Sequence, residues 1–505
     1  MSRASVRQPF SQLRNGIAQS GNFLTTYALS FVAAPIVVAG LGIRAFGIWA
    51  LTGALAQYVG LIDLGVGRSL SRHVAANHSD RRACGEYLAI GFVAVLVVGV
   101  IALGFAVATA PLLARSVHIS STSLRVVLGC SCSLIVCSML TAVVSAYPIG
   151  RQRMVTPSIA AAAGSVINFL ASVGSIAAGV GLPGYSVANA GAGLVTVILV
   201  TAVVLRFEGA IPLSRPSVGR TREFLRYAVK TQLSWAMELV NYQSDKVVIA
   251  LAVGPSAAGS YELASRVAFA ARQIGILPSV TLLPTLTTEL TQSGMDHVRR
   301  AFHGITETIV SIGFPVLWLT AALSPLLLAG WLSHVPHDAA AVLLALSMAS
   351  LASVSSDVGK VVASAEGDLT VVVRSAVGTA IVNLGLTALL APLFGLWGVL
   401  AGTVVALTAG ALVQVALVQR RFALPPRAYL TAVLPTLRLC ALLAIPLFVI
   451  SYSQVIHGRL AAAAMAVVLA SSYLFLYVVF AARAGRLPQE VVNRIPAVRR
   501  FSVAG

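Results

Sequence analysis

Runs of about 20 predominantly apolar residues, long enough to cross a bilayer as a helix, recur along almost all of this 505-residue chain. Six of them centre near Ala33, Gly60, Leu96, Leu134, Ile167 and Val195. After a polar stretch from Arg206 to Arg226, eight more centre near Met237, Gly275, Gly313, Ala349, Ile381, Val405, Ile445 and Val468. In lipid each backbone N–H and C=O must find its partner inside the protein, so a run of this kind is read as a helix. The expected fold is an all-α integral membrane protein of about 14 transmembrane helices. Composition agrees: 58% of the residues are hydrophobic, 10% are charged and the mean hydropathy is +0.89. A soluble domain carries about 25% charged residues, and this chain has too few to clothe a water-facing surface, which excludes a soluble multidomain protein.

The formal net charge of +19 would point to nucleic acid in a soluble protein. Here the arginines fall in short segments between apolar runs, the pattern of cytoplasmic loops, and no nucleic-acid partner is expected. With the N-terminus inside, the inside set holds Arg3, Arg7 and Arg14, then Arg72, Arg81 and Arg82, then Arg151 and Arg153. It continues with Arg206, Arg215, Arg220 and Arg222, with Arg299 and Arg300, with Arg374, and with Arg420, Arg421 and Arg427. It ends with Arg483, Arg486, Arg494, Arg499 and Arg500, whereas the outside set holds little beyond Arg44, Arg115, Arg125 and Arg459. One missed span would scramble this alternation, so an even number of helices is expected, with both termini cytoplasmic in a multi-pass protein of the inner (cytoplasmic) membrane. The basic N-terminus runs into a long apolar stretch without a cleavage site and reads as a retained lead-in. No external loop is much longer than about 15 residues once spans of about 20 are assigned, which leaves no room for an external catalytic domain.

The segment APIVVAGLGIRAFGIWAL, Ala34 to Leu51, lies without gaps on KVVIALAVGPSAAGSYEL, Lys246 to Leu263. Gly42 falls on Gly254, Gly47 on Gly259, Trp49 on Tyr261 and Leu51 on Leu263. Each copy is the end of one apolar helix, a glycine-containing turn and an aromatic-bearing start of the next, and internal repeats of this kind mark the paired bundles of transporters. The expected layout is two pseudo-repeated six-helix lobes plus a C-terminal helical pair. The lobes are expected at residues 1–210 and 224–424, with a cytoplasmic linker at 211–223 and the final two helices and cytoplasmic tail at 425–505.

FGIWALTGALAQYVGLIDLGVGRSLSRHVA, Phe46 to Ala75, resembles the second-helix signature of Wzx-type polysaccharide or O-antigen flippases, members of the multidrug/oligosaccharidyl-lipid/polysaccharide exporter superfamily. NYQSDKVVIALAVGPSAAGSYELASRV, Asn241 to Val267, looks like the seventh and eighth helices of the same family. The resemblance implies twelve to fourteen helices, alternating access between lobes, and movement of an undecaprenyl-pyrophosphate-linked oligosaccharide from the cytoplasmic to the outer leaflet for surface polysaccharide synthesis. It also implies the lipid-linked oligosaccharide and the bilayer as partners, with a polysaccharide polymerase and export machinery beside them. A lipid II flippase or a drug/cation antiporter of the same superfamily are the alternatives within it. Outside it stand a membrane acyl- or glycosyltransferase and a non-transporting scaffold. No Walker-type, dinucleotide-binding or H-E-x-x-H motif occurs, so no enzyme activity, cofactor or metal is expected.

Charge inside a span is costly unless it faces protein or water, so intramembrane charges are the candidate site. Glu238, Asn241 and Asp245 lie on one stripe of the seventh span; Glu262, Arg266 and Gln273 share a face of the eighth, with Arg272 close by. Ser350, Ser353, Asp357 and Lys360 form a stripe in the tenth, and Asp63 marks the second. On the functional reading Lys246, Arg266, Arg272 and Lys360 attract a pyrophosphate or acidic sugar. Asp63, Glu238, Asp245 or Asp357 would bind a coupling proton or sodium ion. On the structural reading Glu262 with Arg266 and Asp357 with Lys360 are intrahelical pairs. Asp245 and Lys246 would then reach interfacial water. Pro35, Pro278, Pro284 and Pro315 bend their helices. Cys84, Cys130, Cys132, Cys137 and Cys440 read as small packing residues rather than metal ligands or disulfides.

Overall fold

The computed structural model describes residues 3–61, 66–453, 456 and 458–485, with side chains left undescribed at 3–17, 68, 229–231, 233–235, 238, 280–281, 283–285, 288, 291 and 293. Every regular element among the described residues is a helix. In chain order these are α1 (Arg3–Leu41), α2 (Ile43–Gly60), α3 (Val66–Ala76), α4 (Arg81–Val117), α5 (Ser121–Gly150), α6 (Val155–Ala177) and α7 (Gly181–Glu208). There follow α8 (Val218–Ala252), α9 (Pro255–Ala322), α10 (Ser324–Trp331), α11 (Ala339–Glu366), α12 (Thr370–Phe422), α13 (Pro426–Tyr452) and α14 (Arg459–Arg483).

Among the described residues ten helices are long and apolar enough to cross a membrane, which makes the protein a multi-pass membrane protein. The helices at the expected spans near Gly60, Met237 and Gly275 are not among the ten. The segments near Met237 and Gly275 carry Asp245, Lys246, Glu262, Arg266 and Arg272, and the charge that marks them as functional candidates also lowers their apolarity. Leu96, Leu103, Ile198, Leu442 and Val449 stand exposed, as side chains solvated by lipid do.

Two helices contain a reversal. In α12, Gly395 adopts φ 58°, a left-handed conformation that favours glycine. On either side of it the chain doubles back. A Cβ placed on Gly398 would meet the Leu390 carbonyl, one on Gly402 would meet Leu386 and the Thr387 nitrogen, and one on Gly410 would meet Thr379. These pairings recede evenly from the turn, so α12 is an antiparallel hairpin. Gly398, Gly402 and Gly410 let its backbones approach as small residues do between membrane helices. Gly294, at φ 72°, does the same for α9, bringing Gly275 against Gly313. Each hairpin thus holds two of the expected spans.

The chain divides into two compact units, Met1–Leu239 with Gly254–Gly259, and Val240–Val253 with Ser260–Gly505. In the first, α5 is central and packs on α2, α3, α4 and α7, while α6 joins α1 to α7. Asp80 and Ser120 cap α4 and α5 by accepting from the backbone nitrogens of Ala83 and Ser123 at 2.9 and 3.1 Å. The polar stretch after α7 is tied down. Glu86 on α4 accepts from the Ser217 nitrogen at 3.0 Å and pairs with Arg220, and Arg81 donates to the Ala210 carbonyl at 3.0 Å. Residues 218–226 are accordingly the first turns of α8 rather than loop.

The two copies of the repeat are both helix–turn–helix corners, with Gly42 at φ 82° and Gly254 at φ 129°. Within the first unit, a Cβ on Gly47 would strike the Pro255 carbonyl and one on Gly259 would strike the Ile43 carbonyl. These contacts are exchanged by the shift that lays Gly42 on Gly254. In the second unit an apolar core joins Phe302, Ile309 and Phe314 of α9 to Val354 and Val358 of α11, Val418 of α12 and Cys440 of α13. The cysteines are free, and Cys84, Cys132 and Cys440 are buried in the helix packing.

Candidate functional site

The last two turns of α8, the start of α9 and both arms of the α12 hairpin meet in the second unit around Asp245. This carboxylate is fully buried. Oδ2 accepts from the Tyr261 hydroxyl at 2.6 Å and lies 2.9 Å from Thr403 Oγ1, and Oδ1 lies 3.5 Å from Asn383 Nδ2. Thr403 Oγ1 is also 2.9 Å from the Val399 carbonyl. A hydroxyl has one proton, so it cannot satisfy both acceptors at once. Thr387 Oγ1 is 3.5 Å from Asn383 Oδ1, and Asn383 Nδ2 is 3.4 Å from the Asn241 carbonyl. Asn241 Oδ1, one helical turn from Asp245, is buried without a hydrogen bond. Among the described residues no cationic side chain forms an ion pair with Asp245, because Lys246 is turned to Glu262. The result is a shell of carboxylate, hydroxyl, amide and carbonyl oxygens, the donor set that suits a small hard cation.

The neighbouring rung is ionic. Lys246 Nζ lies 2.6 Å from Glu262 Oε2, and Arg266 Nε donates to Glu262 Oε1 at 2.8 Å. One carboxylate therefore serves two cations, all three nearly buried. Further along α9, the buried Arg272 places its guanidinium 5.1 Å from the centre of the Tyr242 ring and its Nε 3.3 Å from Ser353 Oγ on α11. Lys360 Nζ pairs with Asp357 at 2.7 Å, and the Lys360 side chain remains 39% exposed.

The structure thus sorts the expected site residues. Asp245, Lys246 and Arg266 come together through Tyr261 and Glu262. Arg272 joins the α11 stripe at Ser353 beside Tyr242. Glu262 with Arg266 and Asp357 with Lys360 are the intrahelical pairs of the structural reading, but Glu262 also bridges to α8, which that reading leaves out. Asp245 and Lys246 do not reach interfacial water; both are buried, with Asp245 shielded by α9 and α12. Asp63, the Glu238 side chain, the Pro284 side chain and the tail arginines from Arg486 onward lie outside the described residues.

Residues 13–288, more than half of the chain, match the family described as "Polysaccharide biosynthesis protein". The chain belongs to this family. A search of curated proteins finds no match. Among solved structures, "Lipid II flippase MurJ, inward closed conformation" superimposes with a TM-score of 0.71 at 12% identity, covering 93% of this chain and 99% of that one. "Inward-facing conformation of a multidrug resistance MATE family transporter of the MOP superfamily" does so at 0.63 and 16% identity, covering 79% and 94%. At such identities these likenesses show the fold alone, and it is the fold of the exporter superfamily. Family and fold together make this polysaccharide biosynthesis protein a Wzx-type membrane transporter of that superfamily, as the resemblance in the second and seventh to eighth helices implies.

In this polysaccharide biosynthesis protein the α12 half of the site was not legible from charge. Asn383, Thr387 and Thr403 are neutral and lie far from Asp245 in sequence; Asn383 and Thr403 converge on it from the two arms that Gly395 folds together, and Thr387 lies behind Asn383. Their signal was present in weak form: Asn383 and Thr387 are one turn apart in an otherwise apolar run, so they share a face. Tyr261 stood in the repeat, opposite Trp49, as an aromatic alone, and its hydroxyl is what the repeat comparison passed over.

Proposed function

We propose that the protein flips an undecaprenyl-pyrophosphate-linked oligosaccharide from the cytoplasmic to the outer leaflet of the cytoplasmic membrane, for surface polysaccharide synthesis. The observation that carries this reading is the set of nearly buried cations in the second unit: Lys246 and Arg266 both lie on Glu262, and Arg272 lies against the Tyr242 ring and Ser353. Such cations, in an environment that screens poorly, favour a phosphate-bearing head.

On the same reading Asp245 is the coupling-ion site, for a proton or a sodium ion. A carboxylate whose partners among the described residues are neutral, inside a membrane helix bundle, is stabilised by taking up a positive charge. Asp357 is less suited, since Lys360 already neutralises it. The experiment is chemical analysis of a deletion strain carrying plasmid copies of the gene. Without the gene, lipid-linked repeat units should accumulate on the cytoplasmic leaflet. The wild-type copy should clear them, and Arg266→Ala or Arg272→Ala copies that insert normally should not. Absence of accumulation, or full clearance by both variants, removes this cargo or this site from the mechanism.

A further inference from the structure

Pro315 lies in the second arm of the α9 hairpin, inside a stretch long and apolar enough to span a membrane. It has no N–H, so the Ser311 carbonyl one turn earlier loses the partner that a helix normally gives it. Ser311 is buried, and a carbonyl left open in an apolar interior is costly. Tyr477 of α14 fills the gap: its hydroxyl donates to the Ser311 carbonyl at 2.8 Å. The bond that completes this turn of α9 therefore comes from another helix, and it lasts only while α14 lies against α9.

On its other side the same turn faces the charged site. A Cβ on Gly313 would meet Val354 of α11 and the Gly275 carbonyl, so both arms of α9 and α11 are in close contact there. Val354 follows Ser353, whose Oγ lies 3.3 Å from Arg272 Nε, and the Asp357–Lys360 pair begins about one turn further along α11. The final helical pair is also fastened at its ends. Arg459, at the start of α14, donates to the Gly330 and Trp331 carbonyls at 3.2 and 3.0 Å and so closes the end of α10. Tyr452, at the end of α13, has its hydroxyl 2.8 Å from Ser324 Oγ.

We propose that Tyr477 is a positioning residue: α14 completes the proline turn of α9 and, through Gly313 and Val354, holds α11 in place beside Arg272. The final helical pair is then a brace on the charged site rather than two further spans beside the lobe. The brace acts at the one backbone group that Pro315 prevents α9 from satisfying for itself, so it cannot be replaced from within α9. It needs no assumption about the cargo.

The test is hydrogen–deuterium exchange of the full-length protein in detergent, read by mass spectrometry of peptides covering 308–319 of α9 and 350–358 of α11. Tyr477→Phe loses only the hydroxyl. Exchange in both peptides should speed up by about 2- to 10-fold, the factor that matches the net contribution of one hydrogen bond. Pro315→Ala returns an N–H to the Ser311 carbonyl, so adding Tyr477→Phe to it should change nothing. Tyr473→Phe is the control, one turn earlier on α14. Its hydroxyl lies 3.5 Å from the Cys440 carbonyl, whose helix partner Ala444 keeps its N–H, so its loss should leave 308–319 at the wild-type rate. This control keeps the test decisive if Pro315→Ala does not fold. Unchanged exchange at 308–319 in Tyr477→Phe, equal speeding by Tyr473→Phe, or an undiminished effect of Tyr477→Phe in the Pro315→Ala background overturns the brace. Speeding confined to 308–319, with 350–358 at the wild-type rate, overturns its reach to α11.

Discussion

Replacing Glu262 by Gln isolates a nearly buried carboxylate shared by two cations. The wild-type carboxylate lies 2.6 Å from Lys246 and 2.8 Å from Arg266, with side-chain exposures of 11, 11 and 18%. Glutamine keeps the shape and removes the charge, which leaves two nearly buried cations facing each other. Removing one partner of a buried ion pair costs about 3–5 kcal/mol, because the other is left uncompensated. The loss should fall near the lower end of that range, since both cations keep a little exposure. Lys246→Gln should cost less, because Glu262 keeps Arg266. Lys246→Gln combined with Glu262→Gln restores the wild-type sum of charges and should recover much of the stability lost in Glu262→Gln. The assay is thermal unfolding of the detergent-solubilised protein followed by size-exclusion fluorescence. A Glu262→Gln protein that melts with the wild type, or a double variant no more stable than Glu262→Gln, refutes the shared-carboxylate account.

Three further outcomes follow from particular contacts. Gly402→Val should pry apart the α12 hairpin, because its Cβ would meet Thr387 and Leu386, at about 1–3 kcal/mol of overpacking; melting temperature and the yield of monodisperse protein report it. Gly378→Ala, in the same hairpin but with nothing within 4 Å of the new Cβ, should instead stabilise by about 0.5–1 kcal/mol. Asp368, in the turn between α11 and α12, is held below the usual carboxylate range by hydrogen bonding from Thr370 and then by Arg421, whose Nη2 lies 2.8 Å away. Its lowered pKa makes that contribution present at neutral pH and lost as pH falls through the folded value. Melting temperature should therefore drop more on acidification in the wild type than in Asp368→Asn, and equal drops would remove Asp368 from the acid response.

How far the sequence reached can be judged from the same residues. Helix content and the two bundles were legible because apolar run length is a bilayer-scale signal, and the corner glycines Gly42 and Gly254 repeat its punctuation. Charged candidates stand out because charge is rare in a span, which singles out Asp245, Lys246, Arg266, Arg272 and Lys360 from the sequence, and of these the structure brings Asp245, Lys246 and Arg266 together through Tyr261 and Glu262. Partnership was not. Spacing along one helix finds Glu262 with Arg266 but cannot find Lys246 with Glu262, which depends on how α8 and α9 pack. The depth of Asp245 is likewise not legible: of its two readings, interfacial water fails because its cover comes from Asn383 and Thr403, on the two arms joined by the turn at Gly395. Neutral hydrogen-bonding residues in an apolar run leave a faint trace, and a glycine that reverses a helix is hard to tell from one that merely packs.

The central claim, that this chain moves a lipid-linked oligosaccharide between leaflets, is tested most directly in sealed proteoliposomes. Fluorescent undecaprenyl-pyrophosphate oligosaccharide is loaded on the inner leaflet, and its arrival outside is read as capture by an impermeant lectin. Wild-type protein should expose the glycan well above protein-free vesicles, and Arg266→Ala should return the signal to that background. Glycan that stays inside at the protein-free rate with correctly inserted wild-type protein would contradict the account.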